Sequence, residues 1–220
     1  MACLVPFLGC LGGVLQSSGV PYARGFDLGA DPVRYVLGVF GHSALNLLLI
    51  TLCVTPLRQL SGNANLIRLR RMLGLFAFTY ALLHFLTYVG PFQGLSLTAI
   101  IKDITAKRWY IIIGFSALLL LIPLAVTSTN KMMRRLGRRW QKLHRLIYLI
   151  TALGVWHYWS SIKKDYREPL LYAALLSVLL GWRIWKRYAA MAKTGAAPTT
   201  GAASIDATSR SAPPTAPEKT

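Results

Sequence analysis

The sequence predicts an all-α integral membrane protein of six transmembrane helices in a bundle, with both termini in the cytoplasm. Three observations predict it. The 220 residues are 54% hydrophobic and 15% charged, and their mean hydropathy is positive. The apolar residues gather into six long runs, the signature of spans rather than of a soluble core. The basic residues cluster at the ends of those runs. A net charge of +18 would suit nucleic acid in a soluble chain. Here the clusters abut apolar runs, so the positive-inside rule accounts for them and nucleic-acid binding is set aside.

The first run, residues 2–18, resembles a signal peptide but has no charged leading segment, since Arg24 is the first basic residue, and it reads as a retained span. A polar stretch with Asp27, Asp31 and the string GADPV at 29–33 then marks a turn or helix start. The second span covers 36–54 and stops at Thr55, Pro56, Leu57 and Arg58, followed by a connector rich in Gly and Asn. The third span, 72–92, contains His84, and the loop after it holds Lys102, Asp103, Lys107 and Arg108. The fourth span, 109–126, has Pro123 near its end. The most basic connection follows, with Lys131, Arg134, Arg135, Arg138, Arg139, Lys142 and Arg145. The fifth span, 143–160, is short against a membrane requirement of ~20 residues, so its ends lie in the interface. The sixth covers 169–187. Residues 1–188 thus form the membrane domain, and 189–220, rich in Ala, Thr, Ser, Gly and Pro, form a disordered cytoplasmic tail. No GxGxxG string or Gly-rich phosphate loop accompanies them.

Loop charges set the orientation. The connections after spans two and four carry 4 and 7 Lys+Arg with no acid, whereas the other three together carry 8 Lys+Arg against 5 Asp+Glu. The acid-free connections therefore lie in the cytoplasm, and spans three and five both run from inside to outside.

That topology gives the histidines meaning. His84 lies 13 residues past Arg71 and His157 lies 12 past Arg145. At ~1.5 Å per residue both sit roughly 18 to 20 Å into parallel helices. A lone histidine in a span is a helix-to-helix hydrogen-bond partner, a proton relay member or a metal ligand. Two at matched depth on two helices are what one haem with two axial imidazoles requires. Phe85, Tyr88, Trp156 and Tyr158 offer pocket walls, although an aromatic stripe is also ordinary membrane packing. His144 precedes His157 by 13 residues, a rise of ~20 Å, so one haem cannot take both and His144 marks an inner site. Arg70 and Arg71 occupy its depth on span three, suited to haem propionates or a flavin phosphate. His42 lies near the outer end of span two, either as an interfacial polar residue or at the haem edge or a docking surface. Cys3, Cys10 and Cys53 show no metal or disulfide spacing and read as packing residues.

Four strings carry a family resemblance: TPLR at 55–58, RRMLGL with His84 fourteen residues after Arg70, LAVTS at 124–128, and LGRRWQKLHRLIY followed by His157. Over residues 29–187 they resemble the MsrQ family, also called YedZ, within the ferric-reductase-like transmembrane proteins. The resemblance implies a multi-pass protein of the bacterial inner membrane that binds haem b, one or two per chain, with FMN as a second cofactor. It implies electrons taken from the quinone pool or a cytosolic flavin reductase and passed to MsrP, a periplasmic molybdopterin enzyme that repairs oxidised methionine in envelope proteins. His84, His144 and His157 match the family's haem-associated histidines, and the chain offers no substrate site of its own. Two features depart from the family pattern: His42 stands where tryptophan is usual, and the N-terminus is short and uncharged. Two other readings remain open to the sequence, a stand-alone ferric-reductase-like enzyme and a haem-free proton relay or transporter.

Overall fold

In the computed structural model, residues 2–6, 8, 31–63, 66–106, 109–162 and 165–195 are described, and every regular element among them is helical. The expected first span falls outside these residues except at 2–6 and 8. The first long helix, α1, is Pro32–Ser61. Asp31 caps it, accepting from the Arg34 N–H at 3.0 Å, and Pro32 takes the first helical position, whose N–H would have no acceptor in any case. The expected stop at Pro56 does not occur. A proline removes one N–H from the ladder, and α1 continues past it until Gly62, at φ 68°, closes the end by donating to the Arg58 carbonyl.

Helix α2, Leu66–Thr87, widens into a π turn at Tyr88–Phe92. The loop expected after it contains a nine-residue helix, α3, Leu97–Thr105, started by Ser96, whose hydroxyl accepts from the Ala99 N–H. Asp103 turns the polar side of α3 back toward the bundle, accepting from Gln93 Nε2 at 2.5 Å and Tyr88 Oη at 3.3 Å. Helix α4, Trp109–Val126, has the bounds expected of the fourth span. Beyond Pro123 its last carbonyls are taken up by hydroxyls: Thr127 donates to Pro123 and Ser128 to Leu124, both at 2.6 Å.

The basic connection is also helical, as α5, Asn130–Leu136, and α6, Arg138–Leu143, joined at Gly137 with φ 48°. Helix α7, Leu146–Ser161, starts later than expected, because His144 and Arg145 lie in the turn between α6 and α7. Helix α8, Arg167–Gly195, runs past residue 188, and the remainder of the expected tail, 196–220, falls outside the described residues.

The chain divides into two compact units, Met1–Gly181 and Trp182–Thr220. In the first, α1 packs on α2, α4 on α7, α2 on α4 and α1 on α7. The four helices therefore close a ring in which α2 and α7 are each flanked by α1 and α4. Ala77 of α2 and Ile150 of α7 are fully buried in its middle. Each stands seven residues before the histidine of its own helix. Leu75, Leu86, Ile112, Leu119 and Trp156 face outward, as side chains in contact with lipid do. Among the described residues, three helical stretches, Pro32–Ser61, Leu69–Phe92 and Trp109–Val126, are long and apolar enough to cross a membrane. In the second unit, Lys186 Nζ lies 5.3 Å from the Trp182 ring centre and 5.6 Å from that of Trp185.

Candidate functional site

His84 and His157 meet inside the ring of four helices. Their imidazole centres are 6.0 Å apart and their planes stand at 86°. Each ring is fixed in the same way. The Nδ1 of His84 donates to the Leu37 carbonyl of α1 at 2.8 Å, and the Nδ1 of His157 donates to the Tyr110 carbonyl of α4 at 2.7 Å. A carbonyl only accepts, so each proton resides on Nδ1, which leaves Nε2 with a free lone pair on the far side of the ring. This is the arrangement by which a metal-bound histidine is usually oriented, with its second nitrogen donating to an outer acceptor.

The spacing suits one metal between two axial imidazoles. A metal–imidazole bond is about 2 Å, and a five-membered ring with ordinary bond lengths has a radius of about 1.1 Å. Two bonds and two radii span roughly 6 Å, in agreement with the observed 6.0 Å. The angle of 86° is compatible with this, because a metal–nitrogen bond sets no dihedral between the two ring planes. Among the described residues no group of three or more His, Cys, Asp or Glu gathers as a metal site. Two ligands are too few for a bare structural ion and are the number a porphyrin-held iron takes from protein.

Glycines make room for the rings. A Cβ on Gly41 would lie 3.0 Å from Nδ1 and Cε1 of His84, and one on Gly114 would lie 2.7 Å from Nδ1 of His157. Sequence reasoning missed both glycines and both carbonyls. A signal was present, since each glycine precedes its histidine by 43 residues and each carbonyl by 47. Of the expected wall aromatics, Phe85 packs against Phe115 at 5.5 Å. Trp156, 62% exposed, faces away and is not a wall. Tyr88 and Tyr158 are occupied by hydrogen bonds elsewhere.

His144 is separate from this pair. It stacks on Trp140 at 3.9 Å and shares an Nδ1 contact of 3.2 Å with the Trp140 carbonyl, while Trp140 Nε1 donates to the Thr127 carbonyl at 2.9 Å. Its Nε2 is buried without a hydrogen bond of normal geometry, and a weaker pull toward the Leu124 carbonyl falls short of one. The charge of Arg70 acts on this ring. Arg71 instead donates to Asn130 Oδ1, tying the start of α2 to the start of α5.

His42 belongs to a third group. Its Nδ1 donates to the Gly38 carbonyl at 2.8 Å, and its Nε2 contacts Tyr158 Oη at 2.9 Å. Tyr158 in turn donates to Glu168 at 2.6 Å, and Glu168 is 3.8 Å from His42.

Residues 37–155 match the family described as the ferric reductase like transmembrane component. That range contains His84 and His144 and ends just before His157. The chain is 55% identical over 167 residues, 76% of each chain, to the protein-methionine-sulfoxide reductase heme-binding subunit MsrQ of Xanthomonas campestris pv. campestris strain 8004. It is 55% identical over 163 residues, 74% of each chain, to the protein of that name from Xanthomonas oryzae pv. oryzae strain MAFF 311018. The protein of that name from Ralstonia nicotianae is 52% identical over 160 residues, 71% of this chain and 73% of its own. With more than half of its length matched by the family and relatives this similar along most of theirs, the chain belongs to the MsrQ family of ferric reductase like transmembrane proteins.

Proposed function

We propose that this protein is a haem b membrane subunit that carries electrons across the bacterial inner membrane to an MsrP-type periplasmic molybdoenzyme, in support of methionine sulfoxide repair. The observation that carries the reading is the His84–His157 pair, with both Nδ1 protons committed to backbone carbonyls and a separation of 6.0 Å. Haem, when bound, supplies one-electron redox chemistry at a depth that no side chain of the chain can supply. The chain's own residues do the rest. His84 and His157 would hold the iron, and the Leu37 and Tyr110 carbonyls keep each imidazole in the tautomer able to do so. Ala77, Tyr80, Ile150 and Thr151, all at most 2% exposed, exclude water from the helices on the inner side of the pair.

Six spans with both termini in the cytoplasm put the pair in the periplasmic half, on the side of the electron acceptor. His144, Trp140, Arg70 and Arg71 then lie at the cytoplasmic end, where a quinol or a cytosolic flavin reductase delivers electrons. The buried, unbonded Nε2 of His144 supports a second redox group at that end. A second haem would take His144 as a ligand. FMN would place its phosphate against the guanidinium groups, Arg70 being the one whose charge already acts on the site.

Membranes containing the protein test the reading. A reduced-minus-oxidised spectrum should show Soret and alpha bands, and the reduced protein should pass its electrons to a purified MsrP-type partner. Absence of both bands overturns the haem assignment. Bands without electron delivery to that partner favour a stand-alone ferric-reductase-like enzyme instead.

A further inference from the structure

The two histidines are seated by one device used twice. In α1, Leu37 offers its carbonyl and Gly41, one turn later, leaves the space beside it empty. In α4, Tyr110 and Gly114 do the same at the same interval. A helical carbonyl is normally shielded by side chains one turn on, because Cβ atoms at i and i+4 share a face. With glycine there, a ring from a neighbouring helix reaches the carbonyl, which accepts from it in addition to its own ladder N–H. The close approach is shown by the ring atoms themselves: a methyl on Gly114 would sit 2.7 Å from His157 Nδ1 and 2.8 Å from Cε1, and one on Gly41 would sit 3.0 Å from the corresponding atoms of His84. The distances at Gly114 are too short for carbon against a ring, and those at Gly41 require the ring to give by a few tenths of an ångström. A methyl on Gly114 must push the His157 imidazole off its carbonyl and, since the ring is rigid, carry Nε2 with it; a methyl on Gly41 presses His84 the same way by less.

We propose that Gly41 and Gly114 are positioning residues for the axial ligands, holding the haem in a state with both axial positions filled. The inference rests on the haem reading above. It goes further by assigning the ligation state to two residues that have no side chain and touch no iron. Glycine costs a helix stability relative to alanine, so a glycine-to-alanine change at an unobstructed helical site leaves the bundle intact or stabilises it. Gly74 of α2 is such a site, with no atom within 4 Å of an added Cβ.

The test is carbon monoxide binding to the dithionite-reduced protein in membranes, with haem content and protein abundance measured alongside. Carbon monoxide needs an open axial position. Wild type and Gly74→Ala should carry equal haem and respond equally to the gas, any response coming from a haem at the His144 site and absent in His144→Ala. Gly114→Ala should gain carbon monoxide reactivity beyond that of wild type or lose the His84–His157 haem by about tenfold or more, the scale on which outer-shell partners of metal ligands act. Gly41→Ala should show the same change to a smaller degree. If Gly114→Ala does not accumulate in the membrane, Gly41→Ala decides by the same measurement. Wild-type haem content together with a wild-type response to carbon monoxide in the accumulating variant or variants overturns the inference. A wild type without haem overturns the functional reading itself, a separate outcome.

Discussion

The imidazoles of His84 and His157 face each other at 6.0 Å, each tethered by Nδ1 to a carbonyl that lies 47 residues earlier in the chain. The helix pairs α1–α2 and α4–α7 thus reach the centre of the bundle by equivalent routes. If both rings ligate one haem, each is indispensable to it. His84→Ala and His157→Ala should each lower haem retention by more than about 100-fold, the upper end of what loss of an outer-shell partner alone does. The check is the haem-to-protein ratio of purified protein. A variant of either that keeps the full ratio and an unchanged spectrum contradicts the pairing.

His144 should behave differently. Its ring is stacked on Trp140 at the turn between α6 and α7, before the first residue of the helix that carries His157. His144→Ala should leave the spectrum of the His84–His157 haem intact and remove whatever occupies the inner site, whether a second haem or a flavin. Haem and flavin assayed separately on the same preparation distinguish these. Loss of all haem in this variant would move the axial ligation to His144.

That His84 and His157 come together was legible because the expectation rested on helical rise and loop charge alone. Both are properties of a sequence read in one dimension. What the sequence hid was lateral. Nothing in a hydropathy run says that the carbonyls of Leu37 and Tyr110 face the histidines, or that Gly41 and Gly114 open the way to them, since these depend on which helices are neighbours in the ring. The helices α3, α5 and α6 were hidden for another reason: they are shorter than a span and carry charges, so they read as loops. For α3 and α5 the caps give the sign, Ser96 and Thr129 each accepting from an N–H three residues on, whereas α6 starts at Gly137 with no side-chain cap. Trp156 shows the converse failure. It is aromatic and adjacent to His157, yet one residue along a helix turns it about 100° away, and it points outward.

The group formed by His42, Tyr158 and Glu168 stands beside the haem site without belonging to it. Tyr158→Phe removes both hydroxyl contacts, 2.9 Å to His42 and 2.6 Å to Glu168. The side chains of His42 and Glu168 are 41% and 67% exposed, so their attraction is screened and worth about 1 kcal/mol or less. Tyr158→Phe and His42→Ala should therefore keep full haem content and lower the unfolding midpoint only slightly. Thermal loss of the Soret band measures both quantities at once. A collapse of haem content in His42→Ala would instead bring His42 into the ligand sphere.

Arg70 and Arg71 are adjacent, and only one of them is free to serve an anionic cofactor group in the way proposed. Arg71 is engaged with Asn130, so it joins α2 to α5, whereas the charge of Arg70 acts on the His144 ring. If a phosphate or propionate docks at the inner end, Arg70 loses more by substitution. A hydrogen bond involving a charged group contributes roughly 1.5–3 kcal/mol. Arg70→Ala should accordingly weaken retention of the inner cofactor by about ten- to a hundredfold. Arg71→Ala should act mainly on the contact with Asn130, and Asn130→Ala should reproduce its effect because both remove the same bond. Titrating FMN into flavin-stripped protein measures the difference. Equal losses in Arg70→Ala and Arg71→Ala, with no loss in Asn130→Ala, would show both guanidinium groups binding the anion together and dissolve the distinction drawn between them.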